Sequence, residues 1–320
     1  MKQRDTVIDI TKAIGILLMI IGHWNGLPYL IRNFIFSFHM PLFFILSGYF
    51  YKPKSFKNVF VSGNKNLLKP YLLTSLFCII LCLTAGNFNL AKLKFIGIIM
   101  SNGGWPNEIF GANLPYIGPI WFFLALYWCK IFYNYLREKT KHYFLYSFLI
   151  STIALIIGKY VVNLPFGILT GFCGLVFYSM GDYWRNKIIL PLKKSYFIFG
   201  CIIWMICICV AHLELASFDC NLYPISMFAA FIGTYSMYLI SKKIQHIKYI
   251  SKVLYWIGKN TSLILCYHTL YLFIFLNIKH YLLEPNDIVL NKWQINILCF
   301  LISLILPYLH VNIVRKIKKY

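Results

Sequence analysis

Apolar residues run in long blocks along this chain, separated by short polar stretches rich in lysine and tyrosine. A membrane-crossing helix needs about 17–25 predominantly apolar residues. Blocks of that kind cover 6–25, 33–51, 70–86, 119–136, 143–158, 162–181, 195–212, 222–240, 260–278 and 294–313. The pattern predicts an all-α, polytopic transmembrane bundle of about ten spans. The fifth and sixth blocks are short and meet around Lys159 and Asn163, so their boundary is the least sharply drawn. Residues 91–101 form a further short stretch suited to the membrane interface. The first block contains Asp9 and Lys12 with no small-residue cleavage site after it, and reads as a retained span rather than a signal peptide. No linker, low-complexity tract or repeat interrupts the pattern, and residues 1–320 read as one membrane domain.

Composition agrees: 60% of the residues are hydrophobic and 12% charged, with a mean hydropathy of +0.68. A soluble fold of this size could not bury so much apolar surface. The net charge of +22 would suggest nucleic acid in a soluble protein; its distribution argues for a membrane instead. Lys52, Lys54, Lys57, Lys65 and Lys69, then Arg137, Lys139 and Lys141, then Lys242, Lys243 and Lys248 fall between alternate blocks. Arg32, Lys92, Lys94, Lys159, Lys279 and Lys292 are the few on the other side. This asymmetry places both termini in the cytoplasm and favours an even number of spans. Most of the ten cysteines sit inside apolar blocks without a Cys-x-x-Cys pair, and read as small buried hydrophobes. No metal-ligand motif is present.

The chemistry concentrates in the first block. At about 100° per residue, Lys12 and His23 lie within about 20° of one another, some 16 Å apart along the helix. Asp9 stands three residues before Lys12, at pairing distance. One helix face thus carries a carboxylate, an ammonium and an imidazole through an apolar span, where ionisable groups usually face a bundle interior or a water-filled cavity. Asp9 and Lys12 alone would equally suit the interface, with Lys12 snorkelling outward; His23 on the same face tips the reading toward a site. Histidine titrates near neutrality and can take a hydroxyl proton, then return one to a leaving group. His23, Lys12 and Asp9 are therefore the candidate catalytic residues.

The chain resembles the acyltransferase-3 family. The basic residue, ten intervening residues and histidine of that family's first span match Lys12 and His23, with Arg4, Asp9, Gly15 and Gly22 in the expected places. Phe38–Tyr49, Gly118-Pro119-Ile120-Trp121-Phe122-Phe123, and Gly258–Ser262 leading to His268 are similar to further family stretches, in order along nearly the whole chain. The resemblance implies an acyl-CoA donor, acetyl-CoA above all, as a substrate from the cytoplasm, with no resident cofactor. It implies a sugar or polysaccharide hydroxyl as acceptor, in a bacterial plasma membrane. Lys65 and Lys69 stand where relatives often carry arginines and are the expected donor-binding pair. His39, Trp121 and His268 are expected at the substrate, with packing against the first helix the equal alternative for His39 and anchoring at the membrane interface the stronger one for Trp121, and Pro41 is expected to bend the second span. Trp105 and Glu108 could meet a glycan from an outer loop that otherwise reads as solvated. The competing function is transport of lipid-linked sugar intermediates, which predicts matching broken helices in two halves; the sequence offers no such pair.

Overall fold

The computed structural model describes residues 5–104, 108–109, 112–113, 115–161, 164–187, 194–286 and 288–317. Arg4, Trp105 and Asn163 lie outside these residues, as does the side chain of Glu108. The described chain is a helical bundle with two very short antiparallel hairpins, one joining Glu108–Ile109 to Ala112–Asn113 and the other Leu213–Glu214 to Asp219–Cys220. Helices run in the order α1 (Thr6–Gly22), α2 (Tyr29–Phe36), α3 (His39–Tyr49), α4 (Phe56–Gly63), α5 (Lys69–Thr84), α6 (Phe88–Met100), α7 (Trp121–Lys139) and α8 (Tyr143–Tyr160). There follow α9 (Ile168–Cys173), α10 (Leu175–Lys187), α11 (Lys194–Val210), α12 (Tyr223–Ile244), α13 (Lys248–Lys259), α14 (Thr261–Ile278) and α15 (Lys292–Ile317).

A helix lies over each of the ten apolar blocks, yet among the described residues six helical stretches are long and apolar enough to cross a membrane. They are Tyr29–Tyr49, Phe56–Thr84, Tyr143–Tyr160, Tyr223–Ile244, Thr261–Asn286 and Lys292–Ile317, with α11 a shorter apolar helix. The other blocks differ for visible reasons. α1 is 17 residues long and carries Asp9 and Lys12. α7 ends in Arg137, Glu138 and Lys139. The 162–181 block is broken at Gly167, whose φ of +66° suits glycine, into a 3-10 turn, α9 and α10. Outward-facing Leu, Ile and Phe on α5, α8, α14 and α15 remain exposed, as lipid contact requires.

Two stretches that read as cytoplasmic loops are helical. Residues 56–69 place Val59, Gly63 and Leu67 on one stripe, and Gly63 packs on the Tyr127 ring of α7. A π-turn, Asn64–Leu68, joins α4 to α5 ahead of Pro70, which has no N–H for a regular helical bond. Residues 248–259 form α13, whose Ile257 and Gly258 are buried against the bundle. The second span breaks at Ser37 and Phe38 rather than at Pro41, which takes a place in the first turn of α3 where no donor is needed.

α1 is the centre of the bundle and packs against α3, α12, α13 and α14. Small residues permit the close approaches, as is usual between helices in lipid. A methyl added at Gly258 would lie 1.7 Å from the Asp9 carbonyl oxygen. One added at Gly181 of α10 would lie 1.9 Å from the Ile45 carbonyl oxygen of α3. The hydroxyls of Thr11 and of Ser241 in α12 lie 3.0 Å apart, closing a polar contact within the apolar interior. On the lysine-rich face, buried Asp182 accepts from Tyr133 (2.7 Å) and Arg137 (3.0 Å), tying α10 to α7. Gly181→Ala and Gly258→Ala each force two helices apart and should cost about 1–3 kcal/mol. Thermal unfolding in detergent checks this; Leu301→Ala, on the exposed face of α15, should stay within about 0.5 kcal/mol of wild type.

Candidate functional site

Every turn of α1 sets another residue of one stripe against a cavity. Lys12, Ile16, Met19 and His23 follow one another at helical spacing. Lys12 lines a cavity of about 280 Å³ on the lysine-rich face. Ile16 and Met19 line a small apolar cavity of about 60 Å³ in mid-bundle. His23 lines a third, of about 430 Å³, at the opposite end.

The first cavity is basic. Lys12, Lys52, Lys54 and Lys130 line it, together with Asn134 and Tyr51. Lys12 lies 3.7 Å from buried Asp9 and over the Phe50 ring, 5.2 Å from its centre. Lys130 reaches the cavity from α7, half-buried, whereas Lys52 and Lys54 come from the exposed turn after α3. That turn is held in place. Asn134 donates to the Lys54 carbonyl at 2.9 Å and accepts from the Lys54 N–H at 3.3 Å and the Tyr51 hydroxyl at 3.2 Å. Arg185 of α10 donates to the Tyr51 carbonyl at 3.2 Å. Cations gathered this way attract anions, and their field is strongest where low-dielectric walls exclude water. The apolar cavity beyond is walled by Met40, Phe43, Leu67, Phe123 and Leu126.

The outer cavity holds the imidazoles. α1 ends at Gly22, and His23 leaves helical geometry (φ −91°, ψ 3°) as its cap, with an exposed side chain. His268 of α14, buried, faces it with ring centres 5.5 Å apart. Lys94 enters from α6, between the rings of Tyr116 and Phe273, and donates to the Tyr116 carbonyl. Burial lowers the pKa of Lys94 below the ordinary lysine value, and burial raises that of Tyr116 to about 12. Asn296 of α15 accepts from the Asn25 N–H and donates to the Asn25 carbonyl, both at 3.1 Å, pinning the turn that follows His23. The cavity therefore offers imidazole nitrogens, an ammonium and amide groups, which suits proton transfer beside a developing negative charge.

Of the residues singled out from sequence, His23 and His268 meet in one cavity. Lys12 and Asp9 belong to the basic end and do not approach His23. His39 is buried behind Phe36 with its Nδ1 donating to the Ile35 carbonyl at 3.0 Å, outside the lining of the His23 cavity. Trp121 is packed beneath Gly103, where an added methyl would strike its ring, and lines none of the three cavities. Lys65 and Lys69 project exposed from the π-turn and the start of α5, outside the basic cavity. Sequence reasoning missed Lys130, Lys94 and Asn296. Lys130 and Lys94 could have been flagged as cations inside otherwise apolar stretches. Among the described residues no group of His, Cys, Asp and Glu is arranged to hold a metal ion.

No curated protein and no solved structure shows significant similarity to this chain. A family model described as an acyltransferase domain matches residues 5–311, a span that includes the whole α1 stripe and both end cavities. The chain belongs to the acyltransferase-3 family of membrane acyltransferases.

Proposed function

We propose that this protein is an O-acetyltransferase of a bacterial plasma membrane, moving acetyl from acetyl-CoA to a sugar hydroxyl of a cell-surface or secreted polysaccharide. The observation that carries the reading is the α1 stripe, which joins a basic cavity, an apolar one and an imidazole-bearing one in that order. In this reading the lysine-rich face is cytoplasmic, ten crossings bring both termini to it, and Lys12, Lys52, Lys54 and Lys130 receive the donor's phosphates. The donor's arm lies along Ile16 and Met19, so its thioester arrives beside His23. A sugar enters the outer cavity. His23 takes the hydroxyl proton as oxygen attacks the thioester carbonyl, Lys94 stabilises the oxyanion, and the imidazolium returns the proton to the departing thiolate.

Two kinds of measurement test this. Cells lacking the gene should lose base-labile O-acetyl signals from the NMR spectrum of their surface glycan. Wild type should restore them; His23→Ala, at equal membrane abundance, should not. Retention of full O-acetylation in the null cells would sink the assignment for that glycan. In purified protein, Lys54→Gln and Lys130→Gln should each raise KM for acetyl-CoA about tenfold, the loss of one charge-assisted hydrogen bond of ~1.5 kcal/mol. Lys94→Met should instead lower kcat about 100-fold, as removal of an oxyanion-stabilising group does.

A further inference from the structure

α15 is the most lipid-exposed of the six long apolar stretches, yet it buries a polar stripe. Asn296, Cys299 and Ser303 lie at i, i+3 and i+7, all buried, and face α14 and the turn after His23. Their hydrogen bonds run in one direction. Ser303 Oγ donates to the Cys299 carbonyl at 2.7 Å. With its single hydrogen on that carbonyl, Ser303 accepts from His268 Nδ1, 3.1 Å away. In that arrangement Nδ1 of His268 carries the hydrogen, with Cys299 Sγ 3.6 Å from the same nitrogen. In a neutral ring this leaves Nε2 bare, on an imidazole whose centre is 5.5 Å from that of His23.

We propose that α15 sets the protonation pattern of the site: Ser303 holds His268 as its Nδ1–H tautomer, and the bare Nε2 of His268 receives the N–H of His23. His23 then presents its other nitrogen, unprotonated, to the outer cavity. The chain of donors runs from the acceptor hydroxyl to His23, from His23 to His268, from His268 to Ser303, and from Ser303 to a backbone carbonyl. Each bond polarises the next. A small rotation of the exposed His23 ring, or one bridging water, closes the gap between the imidazoles. Such bonds are commonly long before substrate binds. Asn296 contributes from the same face by pinning Asn25, so the turn carrying His23 cannot swing away.

This inference rests on the acyl-transfer reading for its chemistry, in which the proton balance is unchanged. The hydroxyl proton passes to His23 and from there to the thiolate, while the acyl carbon exchanges its C–S bond for a C–O bond. His268 stays neutral throughout and is a positioning residue, the part a carboxylate plays beside histidine in a hydrolase triad. The titratable groups that share its cavity are His23, Lys94, Tyr116, Tyr271 and Cys299.

The tautomer can be read without any turnover. Full-length protein labelled with 15N-histidine and held in lipid nanodiscs should show a neutral ring protonated at Nδ1, assigned to His268 by its loss in His268→Asn. Ser303→Ala should shift that ring toward the Nε2–H form, and Ser303→Thr should restore it. With acetyl-CoA and a glycan acceptor, Ser303→Ala and His268→Asn should lower kcat at least tenfold, leave KM for acetyl-CoA within twofold, and displace the pH–rate profile. Ser303→Thr should recover most of kcat. An Nε2-protonated His268 in wild type would overturn the inference, as would an unchanged kcat and pH profile in a Ser303→Ala protein whose spectrum is otherwise intact. Absence of transfer by wild type would count against the acyl-transfer reading alone, with the tautomer spectrum still deciding the hydrogen-bond chain.

Discussion

The contact between α1 and α13 is the one on which the rest of the structure turns. α1 takes a carboxylate and an ammonium into an apolar bundle, where such groups persist only if protein encloses them. Enclosure needs neighbours at backbone distance, and Gly258 supplies it: a side chain there would collide with the Asp9 carbonyl. Asp9 is consequently almost fully buried, with Lys12 beside it rather than extended into lipid headgroups. On the other flank Gly15 meets Leu42 of α3, and α3 in turn is locked to α10 through Gly48 and Gly181. Loss of any of these approaches would open a path for lipid to the polar stripe.

A helix so held has one chemistry at each end. At the basic end the charges come from three separate places in the chain, and the turn bearing Lys52 and Lys54 is fixed by Asn134 and Arg185 through backbone groups. The geometry of that turn therefore does not depend on the lysines, whose heads remain free to follow a ligand. At the outer end the imidazoles, the ammonium and the amide come from α1, α14, α6 and α15. Between them the lining is mostly apolar, with Thr261 and Ser262 the polar members.

The parts of this arrangement legible in sequence were those set by local periodicity. Lys12 and His23 share a face because eleven residues make almost a whole number of turns, and six of the apolar blocks mark helical stretches long enough to cross a membrane because lipid demands long ones. α4 and α13 escaped because their apolar stripes are short and lie within lysine-bearing stretches, which resemble positively charged loops. The basic cavity escaped because Lys130 is brought to Lys12 by the packing of α7, and no spacing rule links positions so far apart. Lys65 and Lys69 read as a pair at four-residue spacing, but both lie exposed and outside the lining of the basic cavity. The Asn296, Cys299 and Ser303 stripe was in plain view at i, i+3 and i+7. Small polar residues in a span are ambiguous until their partners are known.

The use of lysine throughout the basic end follows from the same packing. An arginine in place of Lys12 would bring a planar fork that needs two aligned acceptors, and near Asp9 it would commit that fork to the carboxylate. The ammonium of Lys12 stands 3.7 Å from Asp9, against the face of Phe50, an arrangement that neutralises it in part. Lys52, Lys54 and Lys130 present compact charges on flexible stems in the same way. Such a set discriminates by total charge more than by shape. Strict geometry is reserved for the opposite end, where Asn296 and Ser303 reach the turn after His23 and the ring of His268 through directed hydrogen bonds. Binding can tolerate a loose cluster of charges; proton transfer requires nitrogen atoms at fixed positions and in a fixed tautomer, and the rigid polar face of α15 meets that requirement.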